Sequence, residues 1–268
     1  MQAYADDIVL VARNERALRE TFQTLEREGR DLGLKLNEEK TKYMAMAGAG
    51  RTERQGNFFT AAEYCFERVN HFTYLGTVIT DKNNISHEIR RRIVLGNRAF
   101  YANSKILKSR LIDRTTKVKV YETLIRPVVT YGCEAWTLSA SDTNALRVFE
   151  RKVMRRIYGP VNDDGMWRIR HNSEIEVILC NRNIVRFVKS RRIGWLGHVV
   201  RMPQQRLQRE ILDGVIDSVR RRGRPRMRWK QDVVRDLGVM GVRNWSVVAG
   251  RREDWRRIVE EAKVHIGL

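Results

Sequence analysis

The stretch Tyr4-Ala5-Asp6-Asp7-Ile8-Val9-Leu10-Val11-Ala12 decides how the rest of the chain is read. Two adjacent carboxylates stand directly ahead of a short, continuous apolar run, residues 8–12, of the kind expected for a strand covered on both faces. Side by side at a hairpin tip the two carboxylates repel each other, which folding alone explains poorly. A divalent cation offsets that repulsion, because its charge dominates the local electrostatics. Asp6 and Asp7 are therefore candidate Mg²⁺ ligands, and nucleotidyl transfer is chemistry that needs such a pair, with two ions about 3.5–4 Å apart clamping the transferred phosphate.

Working outward, the first eighty residues read as mixed strand and helix. Asn14 can cap a helix from Glu15, with Leu18, Phe22, Leu25 and Leu32 as its buried stripe and Gly33 ending it. Strands are expected at 42–47 and 72–79, and the small, polar and charged stretch 47–60 between them reads as a surface loop. Beyond Thr80 the pattern is helical. Ile85, Ile89, Ile93, Phe100 and Leu107 keep helical spacing, with Ser86 as the cap. Asp113 precedes a helix through Val118, Tyr121 and Ile125 that Pro127 should stop. Ser141 opens a third through Leu146, Phe149, Val153 and Ile157, whose other face shows Arg147, Arg151, Lys152, Arg155 and Arg156. Residues 159–165 read as a linker, and helical patterns follow near 175–179, 184–200, 206–215, 228–237 and 253–264. The fold class expected is α+β: a small antiparallel portion with a Tyr-Ala-Asp-Asp hairpin, then a mostly helical remainder, divided at 1–80, 81–159 and 160–268.

Composition narrows the partner. In 268 residues Lys and Arg number 52 against 32 Asp and Glu, a formal charge of +20. Six Trp, eight Phe and eight Tyr supply burial that a disordered basic tail lacks. No run approaches the roughly 18 apolar residues of a membrane span, and the N-terminus lacks the basic and apolar regions of a signal peptide. Cys65, Cys133 and Cys180 are odd in number and far apart, which suits an intracellular chain, nuclear or cytoplasmic, without a disulfide framework. Neither the cysteines nor the five His show zinc-ligand spacing. The charge is concentrated: residues 182–228 carry fourteen Lys/Arg against three Asp/Glu, a net of +11 in 47 residues, whereas residues 1–43 are close to neutral. Arginine dominates there, and its fork meets phosphate in bidentate geometry. Arg191, Arg192, Arg220, Arg221, Arg222, Arg224, Arg226 and Arg228 are the candidate phosphate contacts, with a nucleic acid as the partner. Arg222-Gly223-Arg224-Pro225 also matches the core of an AT-hook, whose arginines enter a narrow minor groove.

Tyr4-Ala5-Asp6-Asp7-Ile8-Val9-Leu10 resembles the catalytic box of reverse transcriptases in the form used by non-LTR retrotransposons. Further blocks keep that family's order. Residues 33–42 (Gly-Leu-Lys-Leu-Asn-Glu-Glu-Lys-Thr-Lys) resemble its next polymerase motif, and residues 72–79 resemble its primer-grip hairpin. Tyr131-Gly132-Cys133-Glu134-Ala135-Trp136, Gly194-Trp195-Leu196-Gly197-His198 and Gly223-Arg224-Pro225-Arg226-Met227-Arg228-Trp229 resemble blocks that recur downstream. The resemblance implies an RNA-directed DNA polymerase fragment with Mg²⁺ as cofactor and RNA, DNA and deoxynucleoside triphosphates as partners. It implies Asp6 as the main metal ligand, Asp7 as the auxiliary one, and Lys40 near the pyrophosphate leaving group. Tyr4, Tyr74, Leu75 and Gly76 would lie along the primer-template. The family's metal site needs another Asp on an earlier strand, and its fingers also come earlier, whereas only Met1-Gln2-Ala3 precede Tyr4 here. The expectation is a palm remnant with thumb and basic C-terminal region, inactive as a polymerase on its own. The alternative is a non-catalytic, basic nucleic-acid-binding protein derived from a retroelement.

Overall fold

Two short strands open the chain. β1 (Gln2–Tyr4) and β2 (Asp7–Val9) pair antiparallel, with Gln2 opposite Val9, Ala3 opposite Ile8 and Tyr4 opposite Asp7. The computed structural model describes residues 1–46, 56–179, 182–214 and 228–268, and the fold is α+β in two units, Met1–Asn84 and Ile85–Leu268. The apolar run after Asp7 is not covered on both faces: β2 ends at Val9, Ile8 is 46% exposed and Val11 80%. The sheet it belongs to has two strands, so no third strand among the described residues is there to cover it.

In the first unit, the Asn14 side chain accepts a hydrogen bond from the Ala17 N–H and opens α1 (Glu15–Asp31), as its sequence requires. Gly33, at φ 75°, takes the left-handed turn beyond it. Phe22 is the buried residue of α1 and sets its ring edge against Tyr64 and Phe66, at 5.8 and 5.1 Å between centroids. Leu32 is 79% exposed and stands outside the stripe expected of it, since the helix has ended before its side chain could join. Three strands complete this core: β3 (Lys42–Tyr43), β4 (Phe58–Ala61) and β5 (Tyr64–Arg68), in the order β3-β5-β4 with β3 parallel and β4 antiparallel to β5. The expected strand at 42–47 is thus two residues long. The expected loop is a strand from Phe58 onward: Phe59 and Ala61 point inward while Phe58 and Thr60 face out, the period-2 alternation of a half-buried strand. Residues 47–55 of that loop lie outside the described residues. The 72–79 stretch is two antiparallel strands, β6 (His71–Tyr74) and β7 (Thr77–Thr80), folded about Leu75 and Gly76.

The second unit begins with α2 (Ile85–Ala102), α3 (Ser104–Lys108) and α4 (Arg114–Val120), the last capped by Asp113, whose carboxylate accepts from the Thr116 N–H. Ser86 does not cap α2; its hydroxyl donates to Asp142 at 2.9 Å. Pro127 does not stop the chain. After α4 the backbone widens into a π turn (Tyr121–Ile125) and resumes as α5 (Arg126–Val129) with proline in its first turn, where its missing N–H is tolerated. α6 (Ala140–Tyr158) is opened not by Ser141 but by Ser139, in a reciprocal capping box with Asp142. The expected linker contains a hairpin, β8 (Val161–Asp163) against β9 (Met166–Arg168), turning on Asp164 and Gly165 with φ of 48° and 88°. Then come α7 (Asn172–Leu179), α8 (Ile184–Val200), α9 (Leu207–Asp213), α10 (Trp229–Val239), α11 (Trp245–Gly250) and α12 (Arg252–Val264).

α8 runs through two apolar clusters. Its first half gives Ile184, Val185 and Val188 to a cluster with Ile89, Val129, Trp136, Leu146, Phe149 and Val153. Its second half gives Ile193 and Leu196 to another with Val233, Leu237, Ala249, Trp255 and Leu268. Two glycines let helices approach closely. A Cβ on Gly96 would stand 2.1 Å from a Val129 methyl, and one on Gly197 would stand 2.0 Å from the Trp255 indole nitrogen.

Candidate functional site

Tyr4 and Asp7 are directly opposed, so their side chains leave the ribbon on one face, and Ala5 and Asp6 form the turn between them. Ala5 has φ 52°, a left-handed conformation that an alanine seldom adopts. Tyr4, Asp6 and Asp7 are all exposed. The turn therefore brings two carboxylates and a phenol ring to one solvent-facing tip. Neither carboxylate has a cation beside it among the described residues.

The fit to Mg²⁺ follows from that donor set. The ion takes six oxygens in near-octahedral array and keeps several waters, so one or two carboxylates plus substrate phosphates can hold it. Among the described residues no three acidic, His or Cys side chains converge on a point that could hold a metal ion. Asp6 and Asp7 supply part of a ligand set and do not complete one, and no catalytic step through a metal follows from them alone.

Lys40 lies in the turn before β3. The Asn37 carboxamide accepts from its backbone N–H at 3.0 Å, and the Thr41 hydroxyl donates to the Asn37 carbonyl at 2.7 Å. The Lys40 ammonium has no ion-pair partner among the described residues, whereas Lys42, two residues on, is 2.6 Å from Glu67. A cation held ready at a fixed turn can meet an anion at no cost in broken ion pairs.

The β6–β7 turn brings Tyr74, Leu75 and Gly76 together. Leu75 and Gly76 have φ of 46° and 75°, the two positive values of a type I′ hairpin turn. Glycine suits that conformation and leucine does not, at a cost of about 1–2 kcal/mol. Tyr74 is half-buried and Leu75 38% exposed, so an apolar side chain is held in a strained turn and shown to solvent. Strain of this kind is a mark of functional positions.

The expected phosphate contacts separate into three groups. Arg191 and Arg228 are exposed and carry no ion pair among the described residues. Arg192 is corrected: its side chain is fully buried, with one guanidinium nitrogen on Asp232 and the other 3.4 Å from Asp236, so it ties α8 to α10 and cannot reach a phosphate. Lys189 joins the same cluster at 2.9 Å from Asp236. Arg220, Arg221, Arg222, Arg224 and Arg226, with the AT-hook match, lie outside the described residues, as does Cys180. Three of the five cations on the basic face of α6 are also committed internally. Lys152 donates to Asn97 and Tyr101, Arg155 to Asn172 and the Arg170 carbonyl, and Arg151 lies 3.6 Å from Glu176.

Sequence reasoning missed Glu150, on the buried side of α6. Its carboxylate accepts from the Tyr121 hydroxyl at 2.8 Å and from the Ile184 N–H at 2.9 Å, joining three helical segments. Burial pushes its pKa up to about 7, against the pull of those two hydrogen bonds and of Arg126 and Arg151. Cys133 is likewise buried, which pushes its thiol up to about 12 and leaves it inert as a nucleophile. No helix among the described residues is long and apolar enough to cross a membrane.

The Tyr4–Asp7 turn lies within a segment that is similar to a known family. Residues 1–79 match the family model of reverse transcriptases, the RNA-dependent DNA polymerases. An uncharacterized transposon-derived protein of Caenorhabditis elegans is 29% identical over 262 residues, covering 96% of this chain and 93% of that protein. No solved structure matches the chain. The chain is reverse-transcriptase-like in its first unit and similar to a transposon-derived protein over nearly its whole length.

Proposed function

We propose that the chain is the C-terminal part of the palm, with the thumb and basic C-terminal region, of a non-LTR retrotransposon reverse transcriptase, and that it binds primed RNA and DNA. The observation that carries this reading is the Tyr4-Ala5-Asp6-Asp7 turn, with its two carboxylates exposed beside Tyr4 inside the segment that matches reverse transcriptases. The charge of +20 supports a polyanionic partner. In this reading Tyr4, Tyr74, Leu75 and Gly76 lie along the primer-template, and Lys40 meets the phosphates of an incoming nucleotide. Asp6 and Asp7 contribute part of a Mg²⁺ ligand set, the ion supplying charge neutralisation at the transferred phosphate. The parent reaction joins a deoxynucleotide to the primer 3′ hydroxyl and releases pyrophosphate. Asp6 and Asp7 have no third ligand beside them among the described residues, so in this reading the chain by itself binds the primer-template without extending it. A second reading, a non-catalytic nucleic-acid-binding protein of retroelement origin, is favoured by the same incomplete ligand set among the described residues.

A photoreactive base at the primer 3′ end tests the proposal. Irradiation of the full chain with primed RNA should attach the primer to peptides that contain Tyr4 or Tyr74. Attachment confined to residues 85–268 would refute the palm assignment.

A further inference from the structure

The block Gly194-Trp195-Leu196-Gly197-His198 divides by what each residue does in α8. Leu196 is fully buried. Gly197 makes room for the Trp255 indole, which lies 2.0–2.6 Å from the place a Cβ would take, and Trp255 in turn donates its N–H to the Ile193 carbonyl at 3.0 Å. A Cβ on Gly194 would stand 3.8 Å from a Val259 methyl, an ordinary van der Waals contact. Packing accounts for Leu196 and Gly197. It does not account for Trp195 and His198, whose rings face solvent 5.3 Å apart. The Trp195 indole is 36% exposed, and its N–H has no hydrogen-bond partner among the described residues.

One turn earlier on the same stripe stands Arg191, exposed and without an ion pair among the described residues. Positions 191, 195 and 198 are i, i+4 and i+7, a single line along the helix. The other cations of α8 are committed: Arg192 and Lys189 to the carboxylates of α10, and Arg186 toward the Val264 carbonyl at 3.4 Å. The exposed line therefore combines an uncommitted guanidinium, an indole face and an imidazole.

We propose that Arg191, Trp195 and His198 form a stacking site for an unpaired nucleobase of single-stranded nucleic acid, with Arg191 on the adjoining phosphate. This rests on the nucleic-acid reading above and deepens it by naming the strand form that is bound. An indole offers a π face that any base can stack on, which makes the interaction tolerant of sequence. Its apolar area, otherwise left in water, is covered on stacking. The guanidinium matches phosphate in charge and geometry. A duplex keeps its base faces inside the stack, so this line selects single strands.

The full chain is titrated with three probes: oligouridine of about twelve nucleotides, in the size range of single-strand sites, an RNA duplex of the same length, and inorganic polyphosphate as a polyanion without bases. Trp195→Ala should weaken oligouridine binding by about tenfold, within the range that removing one base stack gives, and leave the duplex and polyphosphate within about twofold. Arg191→Gln should weaken all three. Trp195→Phe should keep most of the oligouridine affinity while the quenching of tryptophan emission on binding falls. Should Trp195→Ala fail to fold, this quenching readout decides, and unchanged quenching in Trp195→Phe overturns the proposal. Equal affinities of wild type and Trp195→Ala for oligouridine overturn it too, as does an equal loss toward polyphosphate. A wild-type chain that binds none of the probes overturns the nucleic-acid reading itself, and this inference with it.

Discussion

Glu150→Gln should remove a large part of the pH dependence of the second unit's stability. In the folded chain burial raises this carboxyl to about 7, from 4.5 in the ordinary range. Between those values the folded state holds a proton that the unfolded chain has lost. Stability therefore falls as pH rises through that window: the contribution is full below about 4.5 and gone above about 7. The difference amounts to about 3 kcal/mol between pH 4 and pH 8, taking 1.36 kcal/mol for each pH unit that separates the two ionisations. Glutamine cannot ionise and retains an oxygen that can accept from the Ile184 N–H or the Tyr121 hydroxyl. One of those two bonds is weakened, at about 1 kcal/mol, so the variant should be less stable than wild type at pH 5 and more stable at pH 8. All six tryptophans lie between Ile85 and Leu268, so urea unfolding followed by indole emission reports this unit alone. Parallel stability–pH curves for wild type and Glu150→Gln would refute the argument.

Gly197→Ala should destabilise the second unit by about 2–3 kcal/mol, because the new methyl meets the Trp255 indole head-on; a loss under about 0.5 kcal/mol in urea unfolding would show that the two helices separate freely. Leu75→Asn should relieve the left-handed strain at the β6–β7 turn and slow hydrogen exchange across His71–Thr80 about fivefold, a gain of about 1 kcal/mol, while weakening primer attachment if the leucine side chain touches the primer. Unaltered exchange would mean that the turn is not strained. With primed RNA, deoxynucleoside triphosphates and Mg²⁺, the purified chain should extend no primer, since Asp6 and Asp7 lack a third ligand among the described residues. Extension that disappears in Asp6→Ala would reverse that expectation.

The features legible in the amino-acid sequence are those that depend on near neighbours. The caps at Asn14 and Asp113 are set by residues three positions on, so their side chains identify the helix starts. Pro127 misleads because the rule that proline ends a helix assumes an unbroken register, and the π turn before it starts a new one. β4 is hidden by the polar, glycine-containing run that leads into it, although the alternation of Phe58 to Ala61 is present. Charge misleads most. Arg191 and Arg192 are adjacent and chemically identical, yet a helix turns about 100° between them, so one faces water and the other the core. Asp232 and Asp236, four apart on a predicted helix, are the available sign that a buried cation awaits a partner. The carboxylate pair is legible as a motif from the first residues. Its ligand count is a matter of distant chain segments, which no local pattern records.

The central claim, that this chain grips a nucleic acid largely through phosphate, is tested most directly by its affinity for primed RNA between about 50 and 200 mM salt, where phosphate contacts act through counterion release. The logarithm of affinity should fall steeply and linearly with the logarithm of salt concentration. Replacing Arg220, Arg221, Arg222 and Arg224 with Gln should reduce that slope by up to about 3, at roughly 0.7–0.9 for each phosphate that no longer meets a guanidinium. A flat salt response, or a slope that those four substitutions leave unchanged, would contradict the account.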